Sequence, residues 1–516
     1  MTSEADTLGL RPWPASQETD GDAPATTVSA LFPPEEDRAR WDDLLSHELA
    51  EADARIAAGS VAPTLDLVHF SRELSAFDFE APRPLGSVLE WTIAQLEHGI
   101  VHVTHPRYFG LFNPAPSFPA QCADRLAATF NPQLASSRTS PVAVEIETHV
   151  VRSVGRHAGL PPDTTGHFTT GGTEANYTAL ICALTAAAPE FATEGARGFS
   201  GPPVLYASED SHRAWLKIAH QAGIGRSAVH LVPTDGAGRM SATALTDAIR
   251  SDRAAERLPV MIAATAGTTN AGMVDPLSDC ATIARDAGLW YHVDAAWGGA
   301  LVASDQLRPL LAGIERADSV TIDPHKWLAT TMGCGMFLTA RPDALSSAFH
   351  VATTYMTSNF SDRDPYVTSA QWSRRFLGLR LFLSLATAGW AGYAAHVEKS
   401  VNLAGLLERK LAISGWTVVN EPSLAVLCIL PPSGSAPVGT IVRRVVASGR
   451  AWVSEARFEG RPVIRACVTH GRTGPGDVQA LVEALRAAAS PDASGPGTKC
   501  PEGKFAEAHR RGVNER

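Results

Sequence analysis

Between residues 204 and 338, short runs of β-branched and apolar residues alternate with helical patterns, and this alternation constrains the fold more than any other feature of the chain. The extended runs are residues 204–207, 229–232, 260–265, 289–293, 320–322 and 335–338, and helical periodicity fills 173–187, 212–222, 241–254 and 276–287. Strand, helix and strand in repetition predict a largely parallel sheet covered on both faces. Ligands of such sheets bind beyond the carboxyl ends of the strands, and the polar motifs of this sequence fall at those ends.

Lys326 stands just past one such end, in Ser319-Val-Thr-Ile-Asp-Pro-His-Lys-Trp-Leu328. A lysine beside a buried strand is costly unless it is paired, neutral or covalently used, although its stem could also carry the charge to the surface. The chain has only six lysines; Lys217, Lys399 and Lys410 sit in polar helical patterns, and Lys499 and Lys504 in a Gly/Pro-rich tail. In His167-Phe-Thr-Thr-Gly-Gly-Thr-Glu-Ala-Asn176 small residues open a helix, where free N–H groups and the helix dipole suit a phosphate. A plain glycine turn reads equally well. The third glycine of GxGxxG and the GK[ST] of a P-loop are both missing, so the dinucleotide and nucleoside triphosphate fingerprints are absent.

Ser208-Glu-Asp-Ser-His212 ends another strand with a histidine that serves either as a helix cap or as a stacking partner for a flat ring. Tyr291-His-Val-Asp-Ala-Ala-Trp-Gly-Gly299 places Asp294 at a strand end, where it either caps a turn or pairs with a protonated ring nitrogen, and Ala296 leaves room for a ring face. Thr265 adds a hydroxyl. A phosphate-ready turn, a ring stacker, a carboxylate and a lysine 32 positions after it together match pyridoxal phosphate (PLP) better than any competing cofactor.

The formal charge of −10, from 44 Lys plus Arg against 54 Asp plus Glu without a basic block, argues against a nucleic-acid partner and for a small molecule. No apolar run has membrane-spanning length, and the first 27 residues do not read as a signal peptide, so no membrane partner and a cytoplasmic location are expected. The seven cysteines never form CxxC, which indicates no disulfide framework and no metal site.

Residues 1–34 read as a disordered tail and 35–118 as an N-terminal helical segment whose first helix, to about residue 58, carries an apolar face for another surface. Residues 119–395 are expected to form the large cofactor domain, 396–489 a smaller α/β domain, and 490–516 a second disordered tail. Helix is expected over 371–412, beginning at Trp372-Ser-Arg-Arg-Phe376, and a strand over 451–454. His105-Pro-Arg-Tyr-Phe-Gly-Leu-Phe-Asn-Pro-Ala-Pro116 is a Pro-broken aromatic loop, either a binding wall or a packing plug.

From about His105 to Leu485 the chain resembles the group II pyridoxal-dependent decarboxylases, the family of aromatic amino acid, glutamate and diaminobutyrate decarboxylases. The Asp-Pro-His-Lys-Trp, His-Val-Asp-Ala-Ala-Trp and Ser-x-x-x-His stretches carry the resemblance. It implies an α/β fold of the PLP-dependent transferase fold type I class, with a mostly parallel sheet, and a homodimer with the active site at the subunit interface. It implies Lys326 as the Schiff-base residue, Asp294 on the pyridinium nitrogen, His212 and Ala296 on the two ring faces, and Gly171, Gly172 and Thr173 on the phosphate. Thr265 would sit at the ring edge and His325 would line the site. Tyr355, 29 residues after the lysine, would return the proton to Cα and so favour an amine over an aldehyde. Leu111, Phe112, Asn113 and Pro114 would wall the substrate side chain, which suits an aromatic or branched L-amino acid; an acidic or diamino acid, using Arg107 or Arg138, is the second expectation. An aldehyde synthase or aminotransferase would share Lys326 and Asp294. Asp323 departs from the asparagine usual in the aromatic enzymes, and an anion beside a phosphate needs a donor or a proton to compensate.

Overall fold

The structure, a computed structural model, describes residues 30–351 and 364–491. Most of both expected tails, and Tyr355, lie outside those residues.

Among the described residues, five complete helices precede the first strand: α1 Glu35–Ala58, α2 Leu67–Leu74, α3 Leu85–Gly99, α4 Phe118–Phe130 and α5 Pro141–His157. Local chemistry starts them. Glu35, Glu36 and Asp37 crowd the first turn of α1, where the helix dipole favours anions, and the Asp66 carboxylate accepts the N–H groups of Val68 and His69 to open α2. α2 was not anticipated from the sequence, because eight residues carry little periodic signal.

A seven-stranded sheet follows, in the order β1-β7-β6-β5-β4-β2-β3. Its strands are β1 Thr165–Thr169, β2 Pro203–Ser208, β3 Val229–Val232, β4 Leu258–Thr265, β5 Trp290–Asp294, β6 Ser319–Ile322 and β7 Gly335–Thr339. β3, β2, β4, β5 and β6 run parallel, while β7 is antiparallel to β6 and β1 to β7. Helices α6 Gly172–Ala187, α7 Ala214–Gln221, α8 Ala242–Ala254 and α9 Leu277–Ala287 form the crossovers and cover both faces, so β2 and β5 are buried along their whole length. β1 is the strand that the sequence concealed, since Thr-Gly-His-Phe-Thr has neither alternation nor an apolar run.

Two expectations need correction. Trp372–Phe376 is not helical: the Arg374 backbone bridges Leu134, and its guanidinium lies 2.5 Å from Glu147 in a buried ion pair, which draws the chain away from helical geometry. The helix, α10, begins instead at Gly378 and runs to Ile413, broken at Gly389 by a left-handed φ of 64°. Of residues 451–454 only Ser454 joins a strand; the Trp452 N–H donates to the Arg107 carbonyl and its carbonyl accepts from Phe109, so this apolar run braces the aromatic loop. A second, antiparallel sheet in the order β10-β11-β9-β8 (Ser454–Phe458, Arg461–Cys467, Val426–Leu430, Thr417–Val418) packs with α11 Val438–Ala447 and α12 Pro475–Ala489. Among the described residues no helix is long and apolar enough to cross a membrane.

Candidate active site

Strand register decides which polar residues meet. Thr265 at the end of β4 pairs with Asp294 at the end of β5, and Asp294 with Thr321 on β6, so three polar side chains stand abreast at the carboxyl edge. One residue beyond β6 the chain turns sharply: the Lys326 N–H donates to the Asp323 carbonyl, and the Lys326 ammonium comes back to within 2.9 Å of Asp323 Oδ2. Asp323 is 3% exposed and Lys326 23%, so the lysine neither snorkels away nor stands unpaired.

Asp294 is buried, and each of its oxygens accepts one neutral donor: Oδ2 from Asn176 Nδ2 at 2.8 Å and Oδ1 from the Ala296 N–H at 3.1 Å. Asn176 on α6 in turn lies 3.1 Å from His292, which burial pushes down to about 4 and keeps neutral. The Thr265 hydroxyl is 2.8 Å from Ser211 Oγ, and its backbone N–H donates to Asp275, a carboxyl that burial raises to about 6.

The glycine turn approaches the same place. Gly171 precedes α6 with no side chain capping that helix, so the first N–H groups stay open to an anion. A Cβ on Gly172 would come within 2.8 Å of Asp323 Oδ2, so only glycine admits this closeness. A Cβ on Gly171 would be 3.7 Å from the His325 ring, whose Nδ1 donates to the Cys334 carbonyl at 2.7 Å. Thr173 and His212 are exposed, and Ala296 is partly buried. His212 Nδ1 accepts the Ala214 N–H at the start of α7.

Phe112 comes from the other side. Its ring stacks on Trp297 at 4.1 Å, Trp297 stacks on Trp327 at 4.4 Å, and Lys326 Nζ stands 5.7 Å over the Phe112 centroid. Arg465, a buried residue of β11, lies 4.6 Å over the same ring and ties the loop down by donating to the Gly110 and Thr269 carbonyls. Pro114 is buried and Asn113 partly so, but Leu111 is 50% exposed. Arg107 pairs with Asp477.

Sequence reasoning overlooked Asn176, His292, Trp297 and Arg465. Asn176 and His292 lay inside motifs already singled out; the period of two along β5, which puts His292 on the face of Asp294, was the available signal. Nothing local marked Arg465.

These residues fit PLP. A buried carboxylate with no cation beside it among the described residues suits a protonated ring nitrogen, an uncapped glycine helix start suits a phosphate, and a primary amine stands over the Phe112 ring just past a strand end.

Residues 75–429 match a family described as the pyridoxal-dependent decarboxylase conserved domain. The tyrosine decarboxylase of Oryza sativa subsp. japonica is 32% identical over 482 residues, which cover 87% of this chain and 90% of that one. A tryptophan decarboxylase of Camptotheca acuminata is 31% identical over 403 residues, 75% of this chain and 80% of that one. Among solved structures, that of Oryza sativa TDC with PLP and tryptamine superposes with a TM-score of 0.82 at 23% identity, covering 91% of this chain and 99% of that one.

Proposed function

The chain belongs to the pyridoxal-dependent decarboxylase family and is a PLP-dependent amino acid decarboxylase, and on that premise we propose that its substrate is an L-amino acid with an aromatic or other apolar side chain, released as the amine and CO₂. The observation that carries the substrate class is the apolar loop wall of Phe112 and Pro114, with Lys326 Nζ over the Phe112 ring and the buried Trp297 and Trp327 stacked behind it, which suits an apolar side chain and offers no charge to an acidic one. The relatives named for tyrosine and tryptophan support the same class. The engagement of Arg107 by Asp477 weighs against an acidic substrate.

Bound PLP supplies the electron sink for the pair left on Cα when CO₂ departs. The protein's own residues divide the remaining tasks. Lys326 Nζ would carry the cofactor and, once released, act as an amine base in the cleft. Asp294 would hold the ring N–H in its protonated form, the favourable state beside a carboxylate. Gly171, Gly172 and Thr173 would offer backbone N–H groups and a hydroxyl to the phosphate, with His325 against the turn and Thr265 at the ring edge. His212 and Ala296 would face the two sides of the ring. Asp323 would hold the lysine ammonium in the free chain. Tyr355 would return a proton to Cα, which gives amine instead of aldehyde.

A homodimer completes this reading. Only Ala52 of α1 and Gly86 of α3 are buried and no residue of α2 is, while Leu67, Val68, Leu96 and Phe118 are each more than half exposed. A second copy of the chain would cover that surface, which is too apolar to be left to water.

The test is CO₂ release from the proteinogenic amino acids and diaminobutyrate with added PLP. Tryptophan, tyrosine or phenylalanine should lead, and Lys326→Ala should remove release. Fastest turnover of glutamate or a diamino acid would overturn the substrate class, and keto acid without CO₂ would overturn the reaction.

A further inference from the structure

Behind Asp294 a row of buried side chains crosses from β6 to α6. Trp290, His292 and Asp294 alternate along β5 and so share one face, His292 is the register partner of Ser319 on β6, and Asn176 reaches down from α6. All five are less than one-tenth exposed. The contacts run Trp290 Nε1 to Ser319 Oγ at 2.8 Å, Ser319 Oγ to His292 Nδ1 at 2.8 Å, His292 Nε2 to Asn176 Oδ1 at 3.1 Å, and Asn176 Nδ2 to Asp294 Oδ2 at 2.8 Å.

Chemistry at the two ends sets the direction of every hydrogen bond between them. An indole N–H can only donate, so Ser319 Oγ accepts from Trp290 and has its own proton left to give. A carboxylate can only accept, so Asn176 turns its amide nitrogen to Asp294 and its carbonyl oxygen to His292. That oxygen needs a donor, which places the imidazole proton on Nε2 and leaves Nδ1 to accept from Ser319. One tautomer of a neutral His292 satisfies all four contacts, with every donor pointing toward Asp294. Trp215 packs edge-on against the imidazole at 5.7 Å and leaves it little freedom to turn.

We propose that Asn176 and His292 are positioning residues for the cofactor: through Ser319 and Trp290 they form a one-way relay that fixes the rotation of the Asp294 carboxylate and leaves its remaining lone pairs for the ring N–H. This rests on the reading that Asp294 holds the ring nitrogen. The relay itself touches neither cofactor nor substrate. Its loss therefore acts through Asp294, weakening PLP and slowing turnover while the binding of the amino acid side chain stays as it was.

The experiment is a double-mutant cycle on the full-length holoenzyme, reading the PLP dissociation constant, kcat and KM. Asn176→Ala removes a hydrogen bond to a charged group and is expected to weaken PLP and lower kcat by about tenfold each, with KM changed by less than about twofold. Ser319→Ala, two links further away, should move the same two quantities the same way by about threefold, and it serves as the second variant if Asn176→Ala does not fold. In an Asp294→Asn background either substitution should add less than about twofold, because its effect passes through the missing carboxylate. Equal effects in both backgrounds, or KM rising in step with falling kcat, would show a merely structural row and overturn the relay. If Asp294→Asn itself leaves PLP affinity and kcat unchanged, the assignment of Asp294 fails first.

Discussion

Lys326 Nζ lies 2.9 Å from Asp323 Oδ2, three residues back along the same turn, and this ion pair is what faces the buried Asp323 carboxylate, whose Oδ1 has no hydrogen-bond partner among the described residues. The pair explains how the chain tolerates a lysine at a strand end before any cofactor engages it. Truncating the lysine alone would strand an anion that is 3% exposed. We expect Lys326→Ala to lower the stability of the PLP-free protein by roughly 3 kcal/mol, and Lys326→Ala/Asp323→Asn to recover more than half of that loss. Urea midpoints of the two variants would decide it; a single variant as stable as the parent would refute the account.

The Glu147–Arg374 pair follows the same rule in a drier place. Both side chains are at most 5% exposed, and Glu147 Oε1 also accepts the Gly378 N–H that opens α10. Burial pushes the Glu147 carboxyl up, and the guanidinium opposes that push. Arg374→Met should cost about 3–5 kcal/mol, whereas Glu147→Gln/Arg374→Met, which keeps an oxygen for Gly378, should cost much less. Equal thermal unfolding midpoints for the single and double variants would contradict this.

Acid should destabilise the protein, with His167 a main contributor. Its two ring nitrogens are buried without partners, and burial, with Arg374 adding to it, pushes it from 6.5 to about 3; burial takes His292 and His470 to about 4. A histidine depressed in the folded state costs nothing above its unfolded value. Below 6.5 the unfolded chain binds the proton first, so stability falls with pH until the folded value is reached. Asp275, raised to about 6, acts in the opposite sense between 6 and 3.8, and the Glu147 and Asp210 carboxyls, also raised by burial, act with it, but seven histidines are depressed among the described residues. His167→Leu should therefore gain about 2 kcal/mol more over the parent at pH 5 than at pH 7. An identical difference at both pH values would sink the prediction.

Arg465 holds the aromatic wall by three contacts that a planar fork can make at once: the Gly110 and Thr269 carbonyls and the Phe112 face. A lysine keeps the charge and loses the fork. Arg465→Lys should raise KM for the amino acid by about tenfold, the equivalent of ~1.4 kcal/mol, while PLP affinity stays within about threefold. A fall in PLP affinity matching the rise in KM would mean that Arg465 serves the cofactor pocket instead of the wall.

How far the sequence reaches can be judged from particular residues. The strands from β2 to β7 were legible because their apolar runs are bounded by glycine and helical periodicity. β1 was not, because Thr-Gly-His-Phe-Thr owes its extension to pairing with β7. Trp372–Phe376 has the composition of a helix start, yet a buried ion pair and a bridge to Leu134 overrule it. Lys326, Asp294 and Gly172 could be singled out because each breaks a local rule: a charge at a buried strand end, or a glycine where a helix begins.

The sequence by itself determined the alternating α/β architecture, the edge at which polar motifs gather and the cofactor those motifs suit, because periodicity and turn chemistry act between near neighbours. Only the tertiary structure decided which polar groups answer one another. Asn176 meets Asp294 across 118 positions and Arg465 meets Gly110 across 355, and such partners are chosen by strand register and helix packing, since a buried donor bonds to whatever acceptor the fold brings within 3 Å.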